Sequence, residues 1–185
     1  DIRTALAGAV VAKYLAPSKV TNIGIVGTGI QAKLQLHYLR YVTRCRTAVV
    51  WGRNENNLKK YAKDMDNSGF TITITKNMQD ITNNCNLIVT TTSSRKPLLF
   101  VDDIRRGTHI TAMGADTKEK QELDPRIIQK ADIVIADSIT QCIDHGEISH
   151  AIEEKLVPTD KIIELGSFIK NNYHRENNEQ ISVAD

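Results

Sequence analysis

Gly27, Gly29 and Ala32 stand in a G-x-G-x-x-A spacing directly behind the apolar run Ile23 to Val26, and each position has its own physical task. Gly27 permits a tight turn out of a strand. Gly29, lacking a Cβ, lets a pyrophosphate approach the backbone, and Ala32 keeps the following helix close to the sheet. Thr28, Ile30 and Gln31 share the turn, where the free N–H groups of a starting helix meet negative charge. The chemistry this predicts is that of a nicotinamide or flavin cofactor. Glycine turns after strands also occur where nothing binds, so the surrounding elements must carry the reading.

The second apolar run ends Val49-Val50-Trp51-Gly52-Arg53-Asn54. A NAD-specific site places Asp or Glu here, about 20 residues beyond the glycine turn, to accept hydrogen bonds from the ribose 2′-hydroxyl. No carboxylate stands at this tip. Arg53 can pair with a 2′-phosphate through charge-assisted hydrogen bonds, and Asn54 can donate one more. The pattern favours NADP(H), with NAD(H) as the alternative if Arg53 is only a solvated arginine before a helix.

Asp116 closes the fifth apolar run, at the edge where open α/β sheets place ligands. From residue types alone, Asp116 and Glu119 read as a capping box on a short helix. His145 and His150 do not form H-E-x-x-H and, five apart, would not share a helical face, so no metal site is predicted. His109 lies inside a strand and reads as structural.

These residues need a scaffold, and the rest of the chain supplies its pattern. Apolar segments recur at Thr47 to Trp51, Phe70 to Ile74, Leu87 to Thr90, Thr108 to Met113 and Ile133 to Asp137, with helical stretches between them. Six strands alternating with helices predict an α/β fold, a doubly wound, mostly parallel Rossmann-type sheet with helices on both faces and strand order 3-2-1-4-5-6. Helices are expected at Thr4 to Ala12, at Asn54 to Met65 with Asn54 as N-cap, at Pro125 to Lys130 with Asp124 as N-cap, and at Thr159 to Lys170. Ile181 to Val183 looks like a strand, and Asn171 to Gln180 is the longest expected loop.

At 185 residues, with 24 Lys and Arg against 22 Asp and Glu, the chain suits one domain and carries no basic run of the kind nucleic acid requires. No apolar run approaches the ~20 residues of a membrane span. Cys45, Cys85 and Cys142 are far apart and read as buried free thiols of a reducing compartment, the cytoplasm. A small-molecule partner is the expectation. Both ends look cut from a longer protein.

With these motifs in view, the chain resembles the ornithine cyclodeaminase and mu-crystallin family. The resemblance runs from Asp1-Ile2-Arg3-Thr4 through Gly27 to Ala32, the Thr90-Thr91-Thr92-Ser93-Ser94 segment, Gly107 to Asp116, Lys120 to Asp124, Asp137-Ser138 and Glu164-Leu165-Gly166. It implies hydride transfer at the Cα–N bond of an amino acid or imino acid, as ornithine-to-proline cyclodeamination or cyclic ketimine reduction. Alternatives within the resemblance are an alanine dehydrogenase-like oxidoreductase and a non-catalytic NADP(H)-binding protein. It further implies a preceding substrate and dimerisation domain, absent here, and a homodimer for the full-length protein.

Residue by residue, the resemblance makes Asp116 the acid/base and Arg3 the binder of the substrate carboxylate. Thr90 and Thr91 would offer groups to the cofactor, though threonines are also ordinary strand residues. Ile110 and Met113 would flank the nicotinamide, and their alternation reads equally as core packing. Lys120 would reach the cofactor, unless it is a solvated helix lysine.

Overall fold

The computed structural model describes residues 1–185. Ten strands occur in chain order: β1 (Ile23–Val26), β2 (Thr47–Trp51), β3 (Thr71–Thr75), β4 (Leu87–Thr90), β5 (Arg95–Leu99), β6 (His109–Ala112), β7 (Gln121–Leu123), β8 (Ile133–Ala136), β9 (Ile162–Glu164) and β10 (Ser182–Ala184). Eight helices accompany them: α1 (Ile2–Leu15), α2 (Ile30–Leu39), α3 (Glu55–Asp64), α4 (Met78–Asn84), α5 (Pro125–Lys130), α6 (Ile139–Asp144), α7 (Glu147–Glu153) and α8 (Leu165–Lys170).

The main sheet has eight strands in the order β3-β2-β1-β4-β6-β10-β8-β9, and every pairing in it is parallel. This corrects the expected six. The 3-2-1-4-5-6 frame survives in sequence, but β10 returns from the end of the chain to fill the gap between β6 and β8, and β9 extends the edge beyond β8. Both additions are three residues long; β10 falls on the strand-like Ile181 to Val183, whereas β9, expected as helix, is too short to show a period of its own. A separate pair, β5 with β7, forms a small second sheet.

Because both faces of a parallel sheet are covered, central strands are buried throughout rather than alternating apolar with polar. β1, β4 and β6 are buried at every position. Their side chains nevertheless sort by parity. Ile23, Ile25, Leu87 and Val89 pack with Leu36, Leu39, Leu58 and Tyr61 of α2 and α3. Val26, Ile88, Ile110 and Val183 pack on the opposite face with Ile81, Ile127 and Ile148 of α4, α5 and α7. A third cluster joins Val11 and Leu15 of α1 to Ile135, Ala184 and Phe168 of α8.

Asn54 and Asp124 cap their helices as expected, accepting from Asn57 N–H and Arg126 N–H. The expected helix Thr159 to Lys170 is instead a 3₁₀ turn, strand β9 and the short α8. The β-branched pair Ile162-Ile163 gains more by pairing with the β8 edge than a helix would give it. Asn171 to Gln180 contains no helix or strand.

Candidate active site

All strands of the main sheet point the same way, so the segments after β1, β2, β4, β6, β8 and β10 gather at one edge. The turn after β1 is tightly determined. Gly27 has φ +126°, and a Cβ there would lie 2.6 Å from Thr91 Oγ1. Its N–H donates to Trp51 O at 2.9 Å, which ties the turn to β2. A Cβ at Gly52 would lie 2.8 Å from Thr28 Cγ2, so Thr28 and Gly52 pack directly.

Gly29 is the N-cap of α2 and offers no side chain to the first turn, and a Cβ built on it would meet nothing within 4 Å. An uncapped helix N-terminus of ten residues facing open space is where a pyrophosphate fits, and these residues accommodate a dinucleotide. Ile30 is 66% exposed beside it. Gln31 turns its amide away, donating to Asp1 O at 3.0 Å, so only its backbone faces the turn. Arg53, exposed at the tip of β2, donates to Ser94 Oγ at 3.0 Å, and Asn54 keeps its carbonyl on the cap of α3.

A cavity of about 380 Å³ opens at the carboxyl ends of β6, β8 and β10, between α1 and α6. It brings together Arg3, Met113 and Asp116. Asp116 does not cap a helix, contrary to the capping-box reading, because residues 114–120 run as irregular turns into β7. Its carboxylate, 71% exposed, instead pairs with the Lys120 ammonium, so Lys120 is neither a helix residue nor free solvent-side charge.

Two expected cofactor contacts are not placed at the crevice. Ile110 is fully buried in the core, opposite Ile88 and Val183 in the ladder. On a strand covered on both faces, its parity sends it to the α4/α5 layer. Thr90 is also fully buried, and its carbonyl accepts Met113 N–H at 2.9 Å. Thr91 remains half-buried, its hydroxyl donating to Val26 O at 3.2 Å beside Gly27.

The cavity also holds residues to which sequence reading gave no role. Asp137, Ser138 and Gln141 line it from the end of β8 and the start of α6, and His145, Cys142 and Asp185 complete that wall. Asp137-Ser138 had a signal in its position after a strand; Asp185 had none. Burial pushes Asp185 up to about 6, against the N–H groups of Ile148 and Glu147 that favour its ionised form. Burial likewise pushes the Cys142 thiol up to about 12, which makes it a poor nucleophile. Below the sheet, His109 is held between Ser182 Oγ (2.8 Å) and Thr111 Oγ1 (3.0 Å), and burial drives it down to about 3.

The profile described as Ornithine cyclodeaminase/mu-crystallin family matches residues 1–185. The chain belongs to that family. Within it, an uncharacterized cyclodeaminase of Sinorhizobium fredii is 37% identical over 190 residues, covering 100% of this chain and 57% of the relative. The iminosuccinate reductase of Paracoccus denitrificans, solved with NAD+, superposes with a TM-score of 0.91 at 33% identity over 99% of this chain and 56% of that one. The Δ1-pyrroline-2-carboxylate reductase of Thermococcus litoralis, solved with NADH and L-proline, superposes with a TM-score of 0.92 at 29% identity, over 98% of this chain and 57% of that one. The chain thus spans a little over half the length of the family members it matches.

Proposed function

We propose that this chain is the dinucleotide-binding part of an enzyme that exchanges hydride at the Cα–N bond of an amino acid or cyclic imino acid. The observation that carries the reading is the meeting of Arg3 and Asp116 in one cavity at the edge of the sheet that also carries the uncapped turn of Gly29. The names of the iminosuccinate and pyrroline-2-carboxylate reductases, both of which act on imines next to a carboxylate, point the same way. A bound nicotinamide would supply or accept the hydride at Cα.

Arg3 provides a planar, bidentate donor for the α-carboxylate and so fixes which atom of the substrate faces the cofactor. Asp116 handles the proton. In the oxidising direction its carboxylate takes a proton from the amine or from an attacking water; in the reducing direction a proton it has first acquired from solvent passes to the nitrogen as the imine carbon gains hydride. Lys120 neutralises and orients that carboxylate through their ion pair. Met113 and the Ala112 and Ala115 side chains give the cavity an apolar wall.

Arg53 and the absence of a carboxylate at the β2 tip support the 2′-phosphorylated cofactor, NADP(H), over NAD(H). Calorimetric titration of the protein with NADPH and NADH side by side tests this. Tighter NADPH binding, lost in Arg53→Asp, is the expected result; preference for NADH would remove the 2′-phosphate reading, and binding of neither would remove the nicotinamide reading.

A further inference from the structure

We infer that Glu122 is a positioning residue, whose carboxylate locks the loop after β4 to the loop after β6 and thereby holds Asp116 at a fixed place in the cavity it shares with Arg3. The inference rests on the hydride-transfer reading above, but the contacts that support it are independent of any ligand.

Glu122 is the middle residue of β7 and is fully buried. One of its oxygens accepts the N–H of Thr92 at 2.5 Å, and the other accepts the N–H of Gly114 at 3.0 Å. Thr92 lies two residues beyond β4 and Gly114 two residues beyond β6, and β4 and β6 are paired neighbours. A single side chain therefore bridges the two loops that leave adjacent strands at the ligand edge. The loops touch there: a Cβ on Gly114 would lie 2.3 Å from Thr92 O and 2.4 Å from Glu122 Oε2. Asp116 is two residues further along the same loop.

The arrangement is costly for stability alone. No cation is among the hydrogen-bond partners of Glu122, and a carboxylate out of water without a counter-charge is penalised far more than an apolar residue of similar size. An apolar residue would suit a buried strand position. What the carboxylate adds is two acceptors on one rigid plane, which sets the spacing of two backbone N–H groups.

Glu122 is itself held from behind. Glu147, 1% exposed, accepts Glu122 N–H at 2.6 Å and Leu123 N–H at 3.0 Å, so β7 cannot slide relative to α7. The start of α7 is in turn fixed by Asp185, which accepts Ile148 N–H at 2.8 Å. The three carboxylates form a series running from β10 to the loop that carries Asp116. A clamp of this kind supplies preorganisation, which matters for the rate more than for binding.

The test uses the full-length protein and Glu122→Gln, which keeps the shape but replaces one acceptor with an NH2 group, so that only one N–H can still be received. Amide hydrogen exchange at Thr92 and Gly114 is measured together with kcat and the dissociation constant for the dinucleotide. Expected are slow exchange at both amides in the wild type, at least about tenfold faster exchange at one of them in the variant, and a fall in kcat of about tenfold or more, with the dinucleotide constant changed less than about threefold. Fast exchange at both amides in the wild type would overturn the clamp whether or not the variant folds. Lost protection with unchanged kcat would reduce Glu122 to a structural role and overturn the inference. Failure of the wild type to bind any dinucleotide is a different result, and contradicts the hydride-transfer reading instead.

Discussion

Arg53 donates to the hydroxyl of Ser94 at 3.0 Å, joining the segments that follow β2 and β4, the two strands on either side of β1. The bond holds an exposed guanidinium over the end of the strand that carries the glycine turn, so the cation is oriented before any ligand arrives. Replacing Arg53 with Asp is expected to weaken NADPH binding by about tenfold to a hundredfold, the range for a lost charge-assisted contact plus new repulsion. NADH binding should change by less than about threefold. Ser94→Ala should produce a smaller loss in the same direction. Fluorescence titration of both cofactors on each variant checks all of these.

The two glycines of the turn should fail in different ways. Gly27→Ala puts a side chain at φ +126° and within 2.6 Å of Thr91 Oγ1, and should destabilise the fold by about 1–3 kcal/mol, visible as a lower denaturation midpoint. Gly29→Glu projects into open space and should leave the midpoint nearly unchanged. It should abolish dinucleotide binding, because a carboxylate then occupies the place of the pyrophosphate. Equal destabilisation by the two substitutions would contradict the geometry of the turn.

Asp116→Asn keeps the size of the side chain but removes its proton-transfer capacity. The expected loss in kcat is about 10²–10⁴, with dinucleotide affinity within about threefold of wild type. Lys120→Met, which removes the ion partner of Asp116, should lower kcat less than Asp116→Asn does. Steady-state kinetics on the full-length protein separates these, and an Asp116→Asn enzyme with normal kcat would remove Asp116 from the chemistry.

His109 gives a pH dependence with a definite sign. Burial drives its folded value from 6.5 to about 3, so below pH 6.5 the unfolded chain binds a proton that the folded protein refuses. Its contribution is fully present above pH 6.5 and is lost as pH falls toward 3, by up to a few kcal/mol. Glu122, Glu147 and Asp185 are raised by burial, so the folded state holds their protons more tightly and they oppose that trend in acid. The comparison of wild type with His109→Gln isolates the histidine. Urea denaturation at pH 7.5 and pH 5 should show the wild type losing stability relative to the variant at the lower pH, and a constant difference would contradict a buried neutral imidazole.

Much of this site is visible in the sequence because its constraints are local. Gly27, Thr28, Gly29 and Gly52 follow from the backbone demands of one turn, and Arg53 from its offset from that turn. Arg3 and Asp116 stand out only through the family resemblance, and the fold brings them into one cavity although they are more than a hundred residues apart. What could not be read depends on long-range placement. Ile110 and Met113 differ in parity and in distance from the strand end, and in a sheet covered on both faces the polar His109 and Thr111 beside Ile110 are buried as well, so they do not mark a solvent side. Glu122 looks like any strand-edge glutamate until β7 is seen beneath the loops of β4 and β6. The insertion of β10 between β6 and β8 is a topological choice that three residues of sequence do not encode by themselves.

The most direct test of the hydride-transfer account is isotopic. The full-length protein would be supplied with NADPH and, separately, NADH, each carrying deuterium at the transferable position of nicotinamide C4, together with Δ1-pyrroline-2-carboxylate or iminosuccinate, and the products examined by mass spectrometry and NMR. The account predicts an amino acid with a single deuterium at Cα, formed by the wild type and reduced by about 10² or more in Asp116→Asn. Amino-acid product without label at Cα, or labelled product formed equally well by the Asp116 variant, would contradict it.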